Sequence, residues 1–210
     1  MRTPTAVTLW AAGIEGSLRA LDPLVGAVHQ HPVEDQEPVL FALIAHAVNH
    51  QLAMYSLALD GYYMESLGLV RACVERWLAW LYVTNFPNHA SRFLRPEAGD
   101  SPEWGEMLKK LEQGTKDDAL RQWWNWLNKL AHVDQTTLGL IWEEPADATG
   151  AMIRVGPTFD RKLLENCVGE ASAVIPPLLQ VTEQFCMRYG VEPAEPGAAE
   201  AYAAQLKTWM

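Results

Sequence analysis

The chain has 210 residues, a hydrophobic fraction of 49% and a net charge of −10. This length fits one large domain with a substantial core, and the acidic excess argues against a general surface for nucleic acids or anionic membranes. The three cysteines are widely spaced and form neither a C-x-x-C motif nor a zinc-binding spacing, so we expect buried, reduced thiols. No apolar run approaches the length of a bilayer span, and the N-terminus is a poor signal peptide. The sequence therefore predicts a soluble cytoplasmic protein.

The first half of the chain predicts three long helices. Apolar residues recur at helical spacing over about 5–28, where Pro23 should kink or break the helix. A second helix should cover about 37–60 and stop at an Asp-Gly pair. A third should cover about 62–86, and it is apolar around most of its circumference, which favours a central position.

The middle of the chain predicts shorter elements. Prolines and glycines break 87–115, apart from a short helix capped by Ser101. A further helix should cover about 116–133 and carries three of the nine tryptophans. The runs TTLGLIWEE and GAMIRVG then favour β-structure, and they predict a two-stranded hairpin at about 137–156 that packs on the helices.

The end of the chain predicts a last long helix that reaches residue 190 and is kinked or interrupted at Pro176 and Pro177. Residues 191–210 are typical of a linker followed by a short helix or tail. We therefore predict an all-α bundle of about five main helices with a small β-hairpin insertion, which forms a single domain over 1–190.

Two charged residues flank the apolar face of the third helix. Arg71 and Glu75 lie one turn apart in LGLVRACVERWLAWLYV, so they share a helix face and can form an ion pair. Charged side chains are costly to bury without a partner. An ion pair that fixes helix packing is the favoured interpretation, and a functional role remains open.

A second polar stripe lies in DALRQWWNWLNKLAHVD. Arg121, Asn125, Asn128 and His132 fall within roughly 60° of one another on a helical wheel. Since Asn and His are poor helix formers, helix propensity does not explain them, and a solvated face and a functional face both fit. His132 can transfer protons near neutral pH, and together with Arg71 it could bind a phosphate.

His46 and His50 are one turn apart on the second helix, a spacing that can present two imidazoles to a metal. The H-E-x-x-H and Glu-x-x-His patterns are absent, so polar packing is the favoured interpretation. No nucleotide-binding loop or nucleophile elbow occurs either. We predict no metal and no cofactor.

The segment LGLVRACVERWLAWLYV, followed by WLNKLAHVD and the hairpin, resembles uncharacterised bacterial domain-of-unknown-function proteins. These have an arginine and a glutamate four apart on one helix and a histidine at the end of a later helix. That set is similar to the HEPN superfamily of helical bundles, which occurs in toxin–antitoxin, abortive-infection and CRISPR-associated ribonucleases. The resemblance covers roughly residues 35–190.

HEPN ribonucleases use an arginine, a polar residue and a histidine on one helix, and they dimerise so that two motifs share a cleft. The resemblance implies that His132 is the histidine and Asn128 the polar residue. Positions 125–127 hold no arginine, so Arg71 or Arg121 would have to substitute in space.

Three functions remain open. The first is an HEPN-like bundle that acts through protein contacts, as a homodimer or in bacterial defence, with Arg71, Glu75 and His132 as a structural network. The second is a metal-independent ribonuclease in which His132 is the general acid/base and Asn128 orients the phosphate, although the net charge disfavours RNA. The third is a small-molecule site in an aromatic pocket between helices. Whether the protein is an enzyme is left open.

Overall fold

The computed structural model describes residues 3–30, 36–94, 102–113, 119–131, 142–143, 152–153, 157 and 159–209. Most of these residues are helical, so the prediction of an all-α bundle is confirmed. The helices are α1 (Thr3–Gln30), α2 (Gln36–Leu59), α3 (Tyr63–Asn85), a 3₁₀ turn (Pro87–His89), α4 (Ser91–Leu94), α5 (Trp104–Leu111), α6 (Ala119–Ala131), α7 (Arg161–Ala173), α8 (Ile175–Arg188) and α9 (Ala198–Trp209).

The α2–α3 pair forms the centre of the bundle. The two helices are joined by a tight turn at Gly61, whose φ of 82° is a left-handed conformation that suits glycine. The Tyr62 N–H closes this turn by donating to the Leu57 carbonyl at 2.8 Å. Helix α3 also packs against α5, α6, α7 and α8, so its predicted central position is confirmed.

A buried glutamine ties the first helix to this centre. Gln51 is fully buried on α2 and accepts a hydrogen bond from the Trp10 indole of α1 at 2.9 Å. Its amide nitrogen donates to the Ala171 carbonyl of α7 at 3.2 Å. Because buried polar groups need partners, this side chain specifies how three helices meet.

The prolines act differently in the two long helical segments. Pro23 does not break α1, which continues to Gln30, because Ala20 and Leu24 on either side are buried and their packing outweighs one lost hydrogen bond. In contrast, the predicted interruption at Pro176 is confirmed. The last long helix is divided at Val174, and α8 begins with the prolines in its first turn, where their missing N–H is harmless.

The predicted β-hairpin insertion at about 137–156 is wrong as an element of the fold. The structure describes four residues of this stretch, Trp142–Glu143 and Met152–Ile153, which pair antiparallel in the register Trp142↔Ile153 and Glu143↔Met152. Two residues on each side do not make a sheet layer, and the architecture is helical. Short β-leaning runs are weak predictors because β-propensity depends on context. The other residues of the predicted hairpin lie outside the described ones.

The C-terminal helix α9 packs on α8 and α1. Tyr202 and Leu206 are its buried anchors, and the Ala198 N–H donates to the Glu183 carboxylate at 2.9 Å. Gly13 of α1 lies against the Tyr202 ring so closely that a Cβ there would be 2.6 Å from a ring carbon. The tail therefore contributes to the core.

The three cysteines are unpaired and buried. Burial raises the pKa of Cys73 to about 12 and that of Cys167 to about 11. In the ranges that the structure describes, no helix has both the length and the apolar content needed to cross a membrane.

Candidate functional site

Arg71 and Glu75 form the ion pair that the sequence predicted. Arg71 Nε lies 2.9 Å from Glu75 Oε1, and the side chains are 24% and 15% exposed. The Arg71 guanidinium also lies over the indole ring of Trp124, 5.3 Å from its centroid. Trp124 is a buried residue of α6, so the ion pair lies where α3 and α6 pack together.

Helix α6 presents the predicted polar stripe mostly to solvent. Its Trp124 and Leu127 are buried, whereas Arg121 and Asn125 are exposed. Arg121 donates from Nε to both carboxylate oxygens of Glu112, just after α5, at 3.2 and 3.1 Å. The second arginine candidate is thus also paired with a carboxylate.

The structure brings only part of the predicted site together. Asn128 has a buried side-chain oxygen without a hydrogen-bond partner, which is unusual for a buried polar atom. His132, the predicted general acid/base, lies outside the described residues. Arg71 pairs with Glu75 and contacts α6 through the ring of Trp124. Arg121 pairs with Glu112, so the two arginines have different carboxylate partners.

Tryptophans fill the space around α6. The ring pairs are Trp77–Trp123, with centroids 6.3 Å apart, and Trp104–Trp124, 5.8 Å apart. These contacts join α6 to α3 and α5, so Trp123 and Trp124 pack between helices.

Helix α6 also contacts α7, where Trp126 donates from its indole nitrogen to Glu170 Oε1 at 3.2 Å. Burial raises the pKa of Glu170, and hydrogen bonds from Trp126 and Trp123 partly offset that rise. The Trp126 ring remains 39% exposed.

The two histidines of α2 also have a local partner. His46 Nδ1 accepts a hydrogen bond from Arg76 Nε at 3.2 Å, and the His46 and His50 ring centroids are 5.1 Å apart. Burial, together with the charges of His46 and Arg76, lowers the pKa of His50. Among the described residues, no group of three or more His, Cys, Asp or Glu could hold a metal ion.

A polar cluster that the sequence did not reveal surrounds the hydroxyl of buried Tyr82. We call it the Tyr82 cluster, and its members are Tyr82, His89, Arg92, Glu106 and Lys110. Arg92 donates to both Glu106 oxygens at 3.0 and 3.2 Å. The Tyr82 oxygen accepts from Lys110 Nζ at 3.2 Å and lies 3.1 Å from His89 Nδ1 and 3.3 Å from Glu106 Oε1. Side chains of α3, the 3₁₀ turn, α4 and α5 therefore meet at one point.

The charges in the Tyr82 cluster stabilise one another. Hydrogen bonds from Arg92 and Lys110 lower the pKa of Glu106 to about 2. Burial lowers the pKa of His89, and the charges of Lys110 and Arg92 lower it further. Arg92 Nη1 lies 3.2 Å from His89 Nδ1. Because the guanidinium can only donate, this contact favours the neutral form of His89, which accepts a hydrogen bond at Nδ1.

The Tyr82 cluster holds α4 and α5 on α3, because its polar groups bond to one another. Two of its pairs are visible in the sequence, Glu106 with Lys110 four residues on and His89 with Arg92 three residues on. Their meeting around Tyr82 is not visible, since the members come from different elements up to 28 residues apart.

A small cavity lies between α1, α8 and the chain before α9. Its lining includes Gly16, Ala20, Leu179 and Cys186 and no aromatic side chain, and it has room for about one water molecule.

No protein-family model, curated protein or solved structure matches this chain.

Proposed function

We propose that this protein is a non-catalytic helical bundle that acts by binding another protein chain, in a bacterial defence or toxin–antitoxin context, as its resemblance to HEPN-like proteins implies. The observation that carries the proposal is the environment of Arg71. Its guanidinium is bonded to Glu75 and stacked on Trp124, which are the contacts of a packing residue.

The electrostatics of the neighbouring groups support the same conclusion. A catalytic phosphate site needs positive charge directed at the phosphate. Arg121 is paired with Glu112, and Arg92 and Lys110 share Glu106. Glu112 thus offsets the charge of Arg121, Glu106 offsets one of the two charges of Arg92 and Lys110, and the chain as a whole carries −10.

The experiment that tests the proposal is a cleavage assay on single-stranded RNA in the presence of EDTA. The wild-type protein is compared with His132→Ala, which removes the predicted acid/base, and with His46→Ala, which removes an exposed histidine of α2 as a matched control. We expect all three proteins to leave the RNA equally intact at every time point. Thermal melting shows that each variant is folded.

One pattern would overturn the proposal in favour of the ribonuclease. In that pattern the wild type and His46→Ala cleave RNA, whereas His132→Ala is folded and at least tenfold slower. Cleavage at equal rates by all three proteins would also contradict a non-catalytic bundle, unless further purification removes the activity and thereby identifies a contaminating nuclease.

A further inference from the structure

Arg76 of α3 differs from the other arginines that the structure describes. Those others each form an ion pair with a carboxylate, and they are Arg19, Arg71, Arg92, Arg121, Arg161 and Arg188. Within the described ranges, half-buried Arg76 forms no ion pair, and its side chain bonds only to a histidine ring. Because a charge that is partly removed from water is costly without an opposite charge, this guanidinium favours an anion from outside the chain.

The bond between Arg76 and His46 leaves several donors unused. Arg76 Nε donates to His46 Nδ1 at 3.2 Å. Since a guanidinium can only donate, the His46 ring is neutral, accepts at Nδ1 and carries its proton on Nε2. No described residue accepts a hydrogen bond from that Nε2 or from Nη1 and Nη2 of Arg76. The end of the arginine fork and one imidazole N–H are therefore available to a ligand.

His50 lies beside these donors. Its ring centroid is 5.1 Å from that of His46, and its Nδ1 is buried without a hydrogen-bond partner. Burial lowers the pKa of His50, and the charges of His46 and Arg76 lower it further, so the neutral form is favoured. We call Arg76, His46 and His50 the Arg76 site. Its three side chains together carry one positive charge.

This single charge selects the class of anion. A phosphate group carries a charge of about −1.5 to −2 at neutral pH, which one guanidinium does not neutralise. A carboxylate carries one negative charge, and its two oxygens match the parallel N–H groups at the end of an arginine fork. The Arg76 site therefore fits one carboxylate.

The stretch of α2 around the Arg76 site carries no charge. From Pro38 to Leu59 there is no Asp, Glu, Lys or Arg, so no acid of this stretch repels a bound carboxylate. On α3, the acid next to Arg76 in the sequence is Glu75, which is bonded to Arg71. His46 is exposed, so the site can be reached from solvent.

The surroundings also indicate where the carboxylate comes from. Sites for small molecules are concave and bury most of their ligand, whereas His46 lies exposed on a helix surface. Asn49, three residues after His46, is exposed too, and its amide can bond to a peptide backbone that carries the carboxylate. The net charge of −10 repels a strongly acidic segment. The favoured ligand is a protein segment with one acidic residue among uncharged ones.

We propose that the Arg76 site binds a single aspartate or glutamate side chain of the partner chain, which lies on the uncharged surface of α2. The inference deepens the proposed function and rests on it in that the ligand belongs to a partner protein. RNA cleavage tests the function and carboxylate binding tests the site, so the two can fail separately.

The test follows the imidazole signals of His46 and His50 by NMR while the full chain is titrated. The probe is N-acetyl-glutamic acid α-amide, and sodium chloride at equal ionic strength is the reference. We expect a saturable shift of the His46 Nε2 signal. The glutamine analogue and inorganic phosphate should bind at least about tenfold more weakly, and acetate, which lacks the backbone amides, at least about threefold more weakly.

Arginine variants show whether the Arg76 site itself binds the probe. Arg76→Gln should weaken binding at least about tenfold. Arg161→Gln is the matched control, because the carboxylate partner of Arg161 lies on its own helix, and it should leave the affinity unchanged. Arg76→Lys gives an independent result if Arg76→Gln does not fold. It keeps the charge but loses the fork, so it should weaken binding at least about threefold.

Several results would overturn the proposal. One is a glutamate probe that shifts the histidine signals no more than sodium chloride does, and another is equal weakening by Arg76→Gln and Arg161→Gln. Phosphate that binds more tightly than the probe would identify a dianion as the ligand. Acetate that binds as tightly as the probe would identify a free carboxylic acid. Either ligand would replace the side chain of a partner.

Discussion

Replacement of Arg71 by alanine should destabilise the protein, because Arg71 packs α3 against α6. The change removes the contact between the guanidinium and the Trp124 ring, which contributes about 1 kcal/mol at a partly desolvated site. It also leaves Glu75, whose side chain is only 15% exposed, without its partner.

The size of the second effect follows from the degree of burial. Breaking a fully buried pair costs about 3–5 kcal/mol and an exposed pair less than about 1 kcal/mol, so this half-buried pair lies near 2 kcal/mol. Together the losses reduce the free energy of unfolding by about 3 kcal/mol, which lowers the melting temperature by roughly 6–12 °C for a chain of this size.

The structure provides a matched control on α7. Arg161 and Glu165 have the same spacing and the same 2.9 Å distance from Nε to Oε1, but their side chains are 62% and 37% exposed. Arg161→Ala should therefore cost less than about 0.5 kcal/mol. Urea unfolding followed by circular dichroism measures both variants, and equal stabilities would refute the packing role of Arg71 and reopen it as a ligand-binding residue.

Two further predictions concern Gly13 and Glu106. Gly13→Ala should reduce the free energy of unfolding by about 1–3 kcal/mol, because the new Cβ would overlap the Tyr202 ring. Gly26→Ala on the same helix is the control, and it should increase that free energy by up to about 1 kcal/mol, because a Cβ there has no atom within 4 Å. Denaturant unfolding compares the two variants, and equal effects would contradict the close contact at Gly13. The lowered pKa of Glu106 means that its ionised form stabilises the fold above its ordinary pKa of 4.5 and that this contribution is lost as the pH falls towards 2. Glu106→Gln should therefore flatten the decline in stability between pH 4.5 and 2 measured by urea unfolding, while the exposed Glu103→Gln should not, and an unchanged decline in Glu106→Gln would refute the role of the Tyr82 cluster.

The Arg71–Glu75 pair shows how far local reasoning reaches. Residues four apart on a helix share a face whatever the tertiary fold, so the pair could be predicted from spacing alone. The third residue of this contact, Trp124, lies on another helix 53 positions after Arg71, and no local rule connects Trp124 with the pair. The resemblance to HEPN ribonucleases left Arg71 or Arg121 as the arginine that would substitute in space, and the ion pair remained the favoured interpretation for Arg71. In the structure the Arg71 guanidinium stacks on the Trp124 indole.

Helical periodicity and turn residues, acting within a few positions of each other, determined the helices of this protein. The stop at Gly61 and the division before Pro176 are of this kind, because a left-handed turn and a missing N–H act on the local backbone. Only the tertiary structure decided that α1 continues through Pro23 and that four elements meet around Tyr82. Those outcomes depend on burial and hydrogen bonds between residues far apart in the chain, and these contacts form only when the helices pack.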